Sequence, residues 1–76
     1  MATYNGHKNW NHWNVSLWIG NDEGLYRMVK GYIRRCRTLN EAAIAILEDL
    51  HELGITHTPD GAKYTKTSIR AAITDL

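Results

Sequence analysis

The sequence predicts an all-α fold: a compact small bundle of about four helices, with a short irregular or hairpin-like turn at 55–65. Three observations predict it. Apolar residues recur at helical spacing from Leu25 to Cys36 and again from Leu39 to Leu53, with charge on the opposite faces. Thr38-Leu39-Asn40-Glu41 reads as a capping box, where a hydroxyl and a carboxylate each satisfy one orphan amide. A hairpin through Gly20-Asn21 would need an alternating strand after it, and "DEGLYRMVKGY" does not alternate.

Within that fold, residues 1–9 ("MATYNGHKN") read as an irregular leader in a single domain spanning 1–76. The next stretch is ambiguous. Trp13, Val15, Leu17 and Ile19 alternate as in a strand, whereas Trp10, Trp13/Asn14 and Leu17/Trp18 share a helical face. Asn11 is a good N-cap and Gly20 a good residue past a helix end, which favours a helix over 12–19. Asn21 then caps a helix over 21–36, with Asp22 and Glu23 in the first turn, where the helix dipole favours negative charge. Its inner arc is Leu25, Met28, Val29, Tyr32, Ile33 and Cys36.

The capping box opens a helix over 38–53, with Leu39, Ala43, Ile46, Leu50 and Leu53 as its seam and Gly54 as its stop. Glu41, Glu48, Asp49 and Glu52 make it acidic, so it should lie antiparallel to the basic helix before it. Pro59-Asp60-Gly61 is turn chemistry, and 55–58 with 62–65 could pair as a very short hairpin. Thr67 or Ser68 caps a last helix with Ile69, Ala72, Ile73 and Leu76 turned inward.

Composition narrows the function classes. A chain of 76 residues has one small core and buries only about 60% of its unfolded surface, so three tryptophans and four tyrosines are valuable apolar area. A net charge of +1 gives no global field toward nucleic acid or membranes. The lone Cys36 fits a reducing compartment, and no apolar run is long enough to span a bilayer, so the expected location is the cytoplasm. His7, His12, His51 and His57 lack the spacing of a zinc site and read as surface histidines, with Cys36 in the core. No phosphate loop or nucleophile elbow is present, so the expectation is a non-enzyme without metal or cofactor.

Two constellations remain. Trp13 is expected to close the core over Leu17, leaving Trp10 or Trp18 partly exposed as an anchor for a partner. Arg27, Lys30, Arg34 and Arg37 form a basic stripe that no acid four residues on interrupts, with Arg35 beside it. It would suit a phosphate backbone or an acidic protein groove equally.

Residues 50–73 carry a first resemblance. Gly54-Ile55, Thr58-Pro59, Gly61, Tyr64 and Ile69-Arg70 resemble a pattern in the DNA-binding part of large serine recombinases, with Tyr64 where tryptophan is commoner and no catalytic serine domain. That resemblance implies a helix-turn-helix-like unit presenting the last helix to DNA. The second resemblance is to short proteins of tailed bacteriophages. Asn9, Trp10, Trp13-Asn14-Val15, Leu17-Trp18-Ile19, Asn21-Asp22-Glu23 and Tyr26 match their N-terminal signature. It implies phage or prophage origin and brings no activity, cofactor or site with it.

The resulting expectation is a non-catalytic phage-type binding protein, read as a counter-defence (anti-CRISPR-like) inhibitor of a host protein or ribonucleoprotein effector. Its contact surface would be Trp10, Trp18, Arg27, Lys30, Arg34 and Arg37. The alternative is a helix-turn-helix DNA-binding regulator using Lys63, Lys66 and Arg70; a structural or virion-associated protein is the third reading. No membrane partner is expected, and oligomeric state stays open.

Overall fold

Asn9 starts the first helix: its backbone is extended and its side chain accepts from the His12 N–H at 2.9 Å. The computed structural model describes residues 8–74 and 76 and contains four helices and no strand among them. These are α1 (Trp10–Asn21), α2 (Glu23–Arg35), α3 (Leu39–Glu52) and α4 (Lys66–Ile73). The all-α expectation holds, and the part of the leader before Lys8 lies outside the described residues.

The helix boundaries differ from the sequence reading by one to two residues, each time for a capping reason. α1 begins at Trp10 because Asn9, not Asn11, takes the cap. It runs through Gly20 to Asn21, so Asp22 rather than Asn21 caps α2. Asp22 makes an abrupt corner: its N–H reaches the Trp18 carbonyl at 3.0 Å while its carboxylate accepts from the Leu25 N–H at 2.9 Å. An anionic cap at a helix N-terminus outcompetes a neutral one.

Thr38 caps α3 as expected, accepting from the Glu41 N–H at 3.1 Å. The glutamate's return bond does not form. The box with both halves sits instead at α4, where Thr65, not Thr67 or Ser68, is the cap. Ser68 Oγ accepts from the Thr65 N–H at 2.9 Å, and Thr65 Oγ1 accepts from the Ser68 N–H at 3.0 Å. Removing the simpler cap tests this geometry. Thr38→Ala should lower stability by about 1 kcal/mol in chemical denaturation.

Between α3 and α4 the chain folds back on itself. Gly54 has φ of 78° and ends α3, with its N–H on the His51 carbonyl and that of Ile55 on the Leu50 carbonyl. Gly61, at φ of 97°, closes the Thr58-Pro59-Asp60-Gly61 turn, its N–H donating to the Thr58 carbonyl at 2.9 Å. One antiparallel bridge, His57 with Lys63, makes the segment hairpin-like without forming strands.

The helices pack in a ring, α1 and α3 each lying against both α2 and α4. The core is Val15 and Ile19 from α1, Val29 from α2, and Ala42, Ala43, Ile46 and Leu50 from α3. Ala62, Tyr64, Ile69, Ala72 and Ile73 complete it. No tryptophan belongs to it. Trp13 is only half-buried and Leu17 is exposed, correcting the expectation that this pair closes the core. Ala42 and Ala43 of α3 and Ala72 of α4 are buried in the core, small side chains that let these adjacent helices pack closely. Leu53 and Leu76, expected inside, are exposed; both lie just beyond the helix whose periodicity suggested them.

Basic α2 and acidic α3 are adjacent, but no ion pair links them among the described residues. They are joined by Tyr32, whose hydroxyl donates to Asp49 at 3.0 Å beneath the Arg35 guanidinium, 4.6 Å from the ring centroid. The bond to Asp49, with desolvation second, raises the Tyr32 pKa.

Candidate functional site

Trp18 and Asn14 lie one turn apart on α1, and both reach across to the hairpin. The Trp18 indole N–H and the Asn14 amide both donate to Asp60 Oδ2, each at 2.9 Å. Thr58 Oγ1 donates to Asn14 Oδ1 at 2.6 Å and accepts from the Ala62 N–H at 3.0 Å. Asn14 and Thr58 are buried, so every polar atom in this chain needs the partner it has. The network holds the turn at Pro59 against α1.

The Asn14 bond first, and the Trp18 bond second, hold the Asp60 carboxyl below its ordinary value of 3.8. A depressed folded-state pKa contributes stability that is present above the unfolded value and lost as pH falls through the folded one. Asp60→Asn should therefore flatten the acid limb of a melting-temperature profile below the ordinary aspartate range while leaving the neutral region's slope unchanged.

Holding the hairpin in this position creates an apolar groove of about 480 Å³. Leu25 and Met28 of α2 form one wall, Leu50 and Leu53 at the end of α3 another, and Ile55, Pro59 and Tyr64 of the hairpin a third. Trp18, Asp22 and His57 also line it and supply its polar groups. Leu53 is 67% exposed and Ile55 40%, so the groove offers aliphatic surface to solvent. Tyr64, also lining it, is buried, and desolvation, with the Asp22 charge second, raises its pKa. Sequence reasoning placed Leu53 in the core and treated Ile55 and Pro59 as turn residues. The available signal was Leu53-Gly54-Ile55, two aliphatics flanking a helix-stop glycine rather than lying within the helix.

The sequence-predicted partner residues divide. Trp18 lines the groove. Trp10, 40% exposed, begins α1 and lies eight residues away, about 12 Å along the helix axis. Of the basic stripe, Arg27, Lys30 and Arg34 belong to α2, with Lys30 half-buried, whereas Arg37 lies in the connection to α3; none of the four lines the groove. Arg27 is paired with Glu23, so an acid four residues earlier does interrupt the stripe. Lys30 lies over the Tyr26 ring at 5.8 Å and points to the Leu76 carbonyl at 3.4 Å. Arg34 and Arg37 are exposed and have no acidic partner among the described residues.

Lys63, Lys66 and Arg70 are all exposed. Lys66 and Arg70 share one face of α4, while Lys63 lies in the hairpin, its carbonyl accepting from the Asn11 amide at 3.1 Å. Of the histidines, His51 and His57 are exposed, but His12 is buried and corrects the surface reading; His7 lies outside the described residues. Cys36 is a half-buried free thiol packed against the core. Among the described residues, no group of three or more His, Cys, Asp or Glu is placed to hold a metal ion, and no helix is long and apolar enough to cross a membrane.

A sequence model described as a family of unknown function (DUF7249) matches residues 1–76, and the chain belongs to that family. No curated protein and no solved structure matches it.

Proposed function

We propose that this chain is a small non-catalytic protein-binding domain. Its groove takes an amphipathic helical segment of a partner protein, apolar along one face and flanked by a cation. The observation that carries the reading is the open apolar groove between α2, the end of α3 and the hairpin. Its volume leaves room for a few aliphatic side chains, the usual anchors of a helix laid into a groove. Asp22 lines the groove and Asp60 sits on Trp18, whereas no lysine or arginine lines it. That rim favours a cation beside the apolar face.

The N-terminal resemblance to short phage proteins points to a host effector as the partner. Occupying it would make the chain a counter-defence inhibitor. The basic stripe then supplies long-range steering rather than anchoring. Lys30→Glu combined with Arg34→Glu should slow association roughly tenfold at low salt, an effect that fades as ionic strength rises, with little change in dissociation. Stopped-flow or surface-plasmon kinetics would separate the two rates.

The helix-turn-helix reading has less support. Such units join their helices through a turn of about 3–4 residues. Here the connection covers residues 53–65 and includes the hairpin, while α4 packs against both α1 and α3.

Capture of the tagged chain's partners from host lysate tests the reading when three forms are compared. A protein held by the wild type and by the stripe reversal, but lost from Leu53→Lys with Ile55→Lys, supports the groove. Retention of every captured protein by the groove variant would remove it.

A further inference from the structure

A second concavity, of about 400 Å³, lies where the start of α3 meets α4, and it shares no lining residue with the apolar groove. Asn40, Lys66, Thr67, Arg70 and Ala71 line it. We propose that it binds a phosphate group, and this inference does not rest on the groove reading.

The residue chemistry is one-sided. Lys66 and Arg70 stand four apart on the same face of α4, where like charges repel. Neither side chain has an acidic partner among the described residues. Among the described residues no carboxylate lines the site; Glu41, the neighbour of Asn40, is absent from it. Opposed cations without a resident counter-charge suit an anion placed between them.

The donors also fit phosphate in particular. Arg70 offers a planar fork that matches two phosphate oxygens, and Lys66 adds a point charge. The Asn40 amide and Thr67 hydroxyl add uncharged donors from two elements, α3 and α4. Ala71 contributes no bulk that would keep the anion away. Two sources supply such a group: a free phosphate or phosphomonoester, and the backbone of a nucleic acid.

Amide-resolved NMR titration of the full chain tests the site, with inorganic phosphate in one arm and a short DNA duplex in the other, against sodium chloride at matched ionic strength. The expected result is saturable shifts at Asn40, Lys66, Thr67 and Arg70 that chloride does not reproduce. Arg70→Ala should weaken binding at least tenfold, Arg70→Lys less, and Lys66→Ala with Arg70→Ala should abolish the shifts. All replaced side chains are exposed, and an unchanged melting temperature would show that the fold survives. Tighter saturation by duplex at the same residues assigns the phosphate to nucleic acid; saturation by inorganic phosphate alone assigns it to a small molecule. Shifts equal to those in chloride, or centred on Arg34 and Arg37, would overturn the proposal.

Discussion

Ile46→Ala is expected to destabilise the domain by about 2–5 kcal/mol, the range for deleting a large buried aliphatic side chain. Ile46 is fully buried in the middle of α3, the helix that packs against both α2 and α4. A chain of 76 residues has only roughly 4–11 kcal/mol in all, so this one truncation removes a large share and could unfold the protein at physiological temperature. Trp13→Ala removes a far larger side chain, yet should cost less than Ile46→Ala. The indole is half-buried and lies outside the core cluster. Denaturant melts of the two variants side by side decide the point. Should Trp13→Ala cost more, the tryptophans and not the small-residue core hold the helices together.

The second large effect is on binding. Leu53→Lys with Ile55→Lys should weaken partner binding by a hundredfold or more, in line with the loss of buried anchor contacts at an interface centre. The fold should be nearly unaffected, for two reasons. Both side chains are among the most exposed large apolar groups of the protein. A lysine at position 53 also sits at the C-terminal end of α3, where the helix dipole favours positive charge. The same charge opposes a cation-bearing partner at a rim that already holds Asp22. Unchanged melting with lost affinity is the expected pair of results, and dissociation kinetics should carry most of the difference.

The central helices were legible because their signal is strong and local. From Leu25 to Cys36 one face is consistently apolar and the other basic, and Val29, Met28, Tyr32 and Ile33 do pack inward. α1 was less legible because the large residues misled. At helical spacing His12, Val15 and Ile19 make its buried face, and the eye goes instead to Trp10, Trp13 and Trp18. Boundaries were displaced wherever two capping residues lay within a few positions: Asn9 and Asn11, Asn21 and Asp22, Thr65 and Thr67 or Ser68. Each candidate is a good capping residue type, so residue type alone leaves a helix boundary open by one or two positions.

The groove was not legible, and the reason is physical. It exists because the hairpin is folded back and held on α1 by bonds spanning more than forty residues, from Asn14 to Thr58 and Asp60 and from Trp18 to Asp60. No periodicity within a helix encodes such a contact. Asn14 reads as one polar position among many, yet it is buried with its amide oxygen and nitrogen both engaged. Asn14→Ala should leave the Thr58 hydroxyl without an acceptor, at a cost of about 1–3 kcal/mol. It should also loosen the hairpin wall of the groove.

Selection of a random peptide library on the immobilised full chain tests most directly whether the groove is a docking site for an apolar, cation-flanked helix. Enriched peptides should carry aliphatic or aromatic residues at helical spacing with an adjacent lysine or arginine. Their binding should survive Lys30→Glu with Arg34→Glu and be lost with Leu53→Lys and Ile55→Lys. Enrichment of acidic peptides without helical spacing, bound equally well by the groove variant and lost with the stripe reversal, would contradict the account and move the binding surface to the outer face of α2.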